Sequence, residues 1–145
     1  MPIKSQNKIE VIEPLPLTLR VPFPPSGNRQ ARHAAGAHYL SPETVRYRGA
    51  VRGVLSEMGY GHYRKPLGQL GKLSIKVLLV PATKHAMDAD NRVKSLLDAL
   101  VKGGLLEDDS NRVLGSVYAE WGEPQKDDPH AIISIGPFSS LFFLL

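Results

Sequence analysis

The residues best suited to chemistry are Asp88, Asp90 and Asp98 with Lys94 among them, followed by Glu107, Asp108 and Asp109. They bracket one short segment, Asp88-Ala-Asp-Asn-Arg-Val-Lys-Ser-Leu-Leu-Asp-Ala-Leu100, which ends at Gly103-Gly104. Carboxylates are hard oxygen donors, and a set gathered from both ends of one helical unit can hold a divalent cation such as Mg²⁺. The reaction such a set suits is phosphodiester hydrolysis. There a metal activates water, offsets charge in the transition state and assists the leaving 3′ oxygen. A nearby lysine can neutralise a non-bridging oxygen or orient the water.

The elements that must position these groups are legible from periodicity. A helix is expected over about 91–102, with Val93, Leu96, Leu97, Leu100 and Val101 on one arc and the two glycines as its stop. With Asp90 at zero on the helical wheel, Lys94 lies about 40° round and Asp98 about 80° round, so the three form one polar stripe. The plain structural use of the same residues is equally specific. An aspartate before a helix is an ordinary N-cap, and charges four apart are ordinary surface ion pairs. Six acids around one helix exceed what capping requires, yet the residues alone leave both readings open. For a shared ion, the loop carrying Asp109 has to return to Asp88 and Asp90.

Around that unit, Leu17 to Pro22 alternates as a half-buried strand, and Pro24-Pro-Ser-Gly-Asn28 is a turn-rich loop. Ser41-Pro-Glu43 starts a first helix that runs to about Met58, with Val51, Val54, Leu55 and Met58 as its apolar stripe. Leu73 to Val80 is the strongest strand. Val113 to Trp121 and Ala131 to Ile135 are two more, joined by a connection rich in Pro and Asp that looks like a hairpin. Tyr118 and Trp121 are expected in the core or at a dimer contact rather than as base-stacking groups, since strand aromatics usually pack. The order predicts one α/β (α+β) domain over 15–137, with a small mixed sheet of about four strands and two main helices. Residues 1–14 read as a loose leader and 138–145 as an apolar tail packed on the domain or on a partner subunit.

Charge distribution adds direction. From Arg20 to Lys65 there are eight Arg/Lys against two acids, whereas ten acids lie from Pro66 onward. A basic half beside a local acidic site suits an enzyme that grips a polyanion and cuts it. Asn28, Arg29, Arg32, Arg46, Arg48 and Arg52 are the candidate DNA contacts. The chain has no cysteine, which removes disulfides, thiol catalysis and Cys-ligated zinc from consideration. No secretory signal or spanning segment is indicated, so no membrane partner is expected.

The pattern Asp88-x-Asp90-Asn91-x-x-Lys94-x-x-x-Asp98-Ala99-Leu100, then Gly104, then Asp108-Asp109, closely resembles the signature of the RusA family of Holliday junction resolvases. Upstream, Leu19-x-Val-Pro-Phe-Pro-Pro-Ser-Gly-Asn28-Arg29 is similar to that family's first strand and loop, so the likeness covers roughly 17–136. It implies a homodimeric, Mg²⁺-dependent endonuclease, with Mn²⁺ as a possible substitute, that nicks four-way DNA junctions during recombination and repair. Carried over by position, Asp88, Asp90 and Asp109 match the metal-binding catalytic aspartates and Lys94 the active-site lysine, with Asn91, Asp98 and Asp108 in support. Gly27 stands where the family often has a second Asn, and Lys84-His-Ala-Met87 replaces a denser basic run. The setting implied is the cytoplasm of a bacterial cell, for a bacterial or a phage protein. Two readings from other classes remain: a non-catalytic, structure-selective DNA-binding protein, and a metal-dependent phosphohydrolase acting on nucleotides or RNA.

Overall fold

The computed structural model describes residues 15–27, 31–34, 37–69 and 71–138. Strands β1 (Leu17–Pro22), β4 (Leu73–Val80), β5 (Leu114–Trp121) and β6 (His130–Pro137) form one sheet in the order β1-β6-β4-β5. Helices α1 (Pro42–Glu57) and α2 (Ala89–Lys102) pack on it, and β2 (Ala31–Ala34) pairs with β3 (Ala37–Leu40) as a separate two-stranded ribbon. The four-stranded mixed sheet with two main helices is the expected architecture. The leader and nearly all of the apolar tail lie outside the described residues.

β4 is an inner strand, with β6 on one edge and β5 on the other; its Ile75, Val77 and Leu79 face is fully buried, while Lys76 and Leu78 on the opposite face are half-buried. Ile75, Val77 and Leu79 meet Ile133 and Ile135 of β6 and Leu96 and Leu100 of α2 in one core, all fully buried. The apolar arc read from the sequence is therefore the packed face of α2. α1 begins as expected: Ser41 is its N-cap, its hydroxyl accepts from the Thr44 amide at 3.2 Å, and Pro42 occupies the first turn.

Three expectations need correction. α2 starts at Ala89, two residues early, which puts Asp90 inside the first turn. The β5–β6 connection is not a hairpin, because β6 lies between β1 and β4 while β5 pairs only with β4, in parallel. Prolines and aspartates mark a turn but not where the next strand lands. Finally, of the two places expected for Tyr118 and Trp121, the core is ruled out, since both are exposed on the edge strand β5, and the dimer contact stays open.

The end of β1 is anchored to α1 by Tyr47, whose hydroxyl donates to the Pro22 carbonyl at 2.9 Å. Burial pushes this phenol well above its usual pKa, so it remains a donor across the working pH range. Tyr47→Phe is expected to cost about 1 kcal/mol, the net worth of one such bond. Urea titration of the two proteins checks it through a lower midpoint at unchanged slope.

Candidate metal centre

α2 places the acidic residues along its length. Asp88 is the N-cap residue, with extended backbone (φ −89°, ψ 121°), but its carboxylate makes no capping bond to the helix. It accepts instead from Asn91 Nδ2 at 3.3 Å, which orients it. The local use that best explained Asp88 is thus not the one the structure adopts. Asp90 and Lys94 are exposed and Asp98 is half-buried on the same stripe, beside the packed face. Among the described residues the ion pairs are Arg20–Asp128, Lys76–Glu120 and Arg112–Asp108. Lys94 is therefore not spent on Asp90 or Asp98.

A cavity of about 300 Å³ opens at this end of α2, lined by Ser26, Ala86, Met87, Asp88, Asn91 and Arg92. The loop after β1 closes one side of it. Arg92 Nη1 donates to the Pro24 carbonyl at 3.0 Å, and its guanidinium lies over the Phe23 ring, 5.4 Å from the centroid. Gly27 comes so close to α2 that a Cβ there would lie 2.8 Å from the Asn91 carbonyl oxygen. The departure from the family's Asn is thus matched by an approach only glycine permits. Ser26 and Arg92 had no role of their own in the sequence reading, and Gly27 entered it only as a departure from the family's loop. Their signal was the Pro-Pro-Ser-Gly loop itself, whose partner is set by tertiary packing.

Asp108 and Asp109 follow the other end of α2. Asp108 accepts from Ser110 Oγ at 2.7 Å, the Asp109 amide at 2.8 Å and Arg112 Nη2 at 3.3 Å. The Ser110 hydroxyl above all, then that amide and with them Arg112, hold its carboxyl below the usual range. Asp108 is consumed in shaping the loop, which leaves Asp109 exposed as the donor.

The topology keeps these two groups apart within one chain. Because β4 and β5 are parallel, α2 must run back between them, from beyond Val80 to the start of β5. Asp88 and Asp90 stand at its first turn, whereas Ser110 bonds back to Leu114 where β5 begins beside Leu73. A helix of 14 residues spans about 20 Å. Consistently, no three His, Asp or Glu side chains among the described residues are close enough to hold one ion. The expected return of the Asp109 loop to Asp88 does not occur within one chain. The donor set still fits a hard cation in kind, being all oxygen and unconsumed at Asp88, Asp90 and Asp109, but a single chain supplies it in two parts.

Of the candidate DNA contacts, Arg46 and Arg52 are exposed on α1 and Arg48 is half-buried there. Arg32 lies on β2, opposite Tyr39 of β3, with its side chain outside those described. Asn28 and Arg29 lie outside the described residues. No helix among the described residues is long and apolar enough to cross a membrane.

Comparison with known proteins agrees with the signature. The family model described as Endodeoxyribonuclease RusA matches residues 22–135. A protein of Enterobacteria phage HK97, crossover junction endodeoxyribonuclease rusA, is 32% identical over 89 residues, covering 61% of this chain and 70% of the relative. The proteins of that name from Shigella sonnei (strain Ss046) and Escherichia coli (strain K12) are each 29% identical over 96 residues, 66% of this chain and 76% of theirs. A match that begins at the end of β1, takes in both ends of α2 and closes within β6 spans the described fold almost entirely, and the chain belongs to the RusA family of endodeoxyribonucleases.

Proposed function

We propose that this chain is a structure-selective endodeoxyribonuclease that resolves Holliday junctions by paired, symmetric nicks, acting with Mg²⁺ as a two-fold homodimer. The observation that carries the reading is the N-terminus of α2, where Asp88 does not cap and Asp90 is not ion-paired, at the positions of the family's signature. Asp88 and Asp90 of one chain, completed by Asp109 from a second copy, are the residues that hold the ion. When bound, the metal supplies an activated water and neutralises charge at the phosphate. Asn91 keeps the Asp88 carboxylate oriented, and Asp108 keeps the Asp109 loop in shape. Lys94, one turn from Asp90, offers its ammonium to a non-bridging oxygen.

The two-fold symmetry of such a dimer matches that of a four-way junction, giving one centre for each of two opposed strands. Exposed Arg46 and Arg52 on α1 suit the flanking backbone, with Asn28, Arg29, Arg32 and Arg48 as further contacts. Bacterial cytoplasm is the compartment in which the relatives' hosts keep their DNA.

The test is cleavage of an end-labelled synthetic junction beside a linear duplex of the same sequence, with Mg²⁺ or with EDTA. Symmetric nicks in the junction alone, and only with metal, are expected. Binding without incision would favour a structure-selective DNA-binding protein. Equal attack on duplex, RNA or free nucleotide would favour a general phosphohydrolase.

A further inference from the structure

A second cavity, of about 320 Å³, lies between the segment after β4 and the end of β5, with Pro81, Lys84, His85 and Trp121 among its walls. It shares Ala86 and Met87 with the cavity at Asp88, so the two are neighbours. We infer that this cavity receives one unpaired DNA base flanking the cleaved phosphate, with the Trp121 indole as its stacking platform. The inference deepens the nuclease reading and rests on it.

Trp121 ends the edge strand β5 and is 41% exposed. It is nevertheless held in place. Phe23 packs against it with ring centroids 6.3 Å apart and planes inclined 36°, and Phe23 in turn lies under the Arg92 guanidinium. Arg92 belongs to the first turns of α2, beside Asn91 and Asp90. The indole is thus tied through two contacts to the helix end that carries the acids. A large aromatic ring left in water at a braced position is a surface awaiting an occupant.

The charges around it select that occupant. Lys84 and His85 are exposed on the same cavity, and the chain as a whole carries a formal charge of +4. A nucleotide satisfies both features at once. Its base offers a π-face to the indole and its phosphate meets the cations. The base has to be unpaired, because within a continuous duplex both faces of each base are already stacked. At a branch point the stack is interrupted, and extruding a base costs least there. The cavity then contributes both to selectivity for branched DNA and to base preference beside the cut.

Trp121 is the chain's one tryptophan, so its fluorescence reports on this cavity alone. The experiment titrates a four-way junction into the Asp90→Asn protein, following indole emission and, separately, the anisotropy of a dye on a distant arm. Quenching that tracks binding, and disappears with a junction carrying an abasic residue beside the cut, is the expected result. Trp121→Ala should weaken binding of the intact junction about tenfold and of the abasic junction hardly at all, with Trp121→Phe restoring most of the difference. Binding by anisotropy without any change in emission overturns the base assignment and leaves the nuclease reading standing. Emission that shifts with protein concentration instead of DNA also overturns it, by placing a second copy against the indole. Absence of junction binding in both channels overturns the nuclease reading and the inference together.

Discussion

A one-to-one mixture of Asp90→Asn and Asp109→Asn chains is expected to recover junction cleavage that neither variant shows alone. Each substitution removes a carboxylate from the ion, and the metal's contribution of several kcal/mol makes the loss on the order of 10³-fold. Recovery follows from where the acids stand. Asp90 lies at the first turn of α2 and Asp109 beyond its last, so the proposed centre, which uses both, would take them from different chains. In a mixed dimer one centre then receives both damaged residues and the other receives neither. With random exchange, half the dimers are mixed, and about a quarter of all centres are intact. Cleavage of a labelled junction by the refolded mixture measures this directly. The recovered activity nicks one strand only, since the second centre of each mixed dimer is dead. Were each centre built within one chain, mixing would restore nothing.

Replacing Lys94 by alanine is expected to lower cleavage by about 10²–10³-fold while junction affinity stays nearly unchanged. Lys94 is exposed on the stripe that carries Asp90 and, among the described residues, forms no ion pair, so its removal disturbs neither the core nor a structural bridge. A cation aimed at the phosphate matters most when charge builds there, which separates turnover from binding. Anisotropy for affinity and single-turnover cleavage for rate, measured on the same preparation, distinguish the two. Equal losses in both would make Lys94 a backbone contact, and no loss in rate would remove it from the reaction.

What the sequence made legible was local. The arc of Val93, Leu96, Leu97, Leu100 and Val101 and the stripe of Asp90, Lys94 and Asp98 follow from a 3.6-residue period, and both faces of α2 are where that period puts them. The Ser41 cap and the β4 strand were equally readable. What escaped was whatever depended on distant pairing. The placing of β6 between β1 and β4 is decided by which apolar faces meet, not by the Pro-Asp connection that precedes it. The β2–β3 ribbon was hidden because Ala31 to Leu40 is rich in alanine, with no β-branched residue and no clear alternation of apolar residues. That Trp121 lies outside the core was hidden for the same reason: a strand's sequence does not announce that it lies at the sheet's edge.

The length of α2 has a consequence for control of the reaction. If two copies share the ion as proposed, a lone chain carries two fragments of a cutting centre and no whole one, and dilution is expected to disarm it. At low copy number its activity would then rise more steeply than the amount of protein, because incision would wait on an encounter between two molecules.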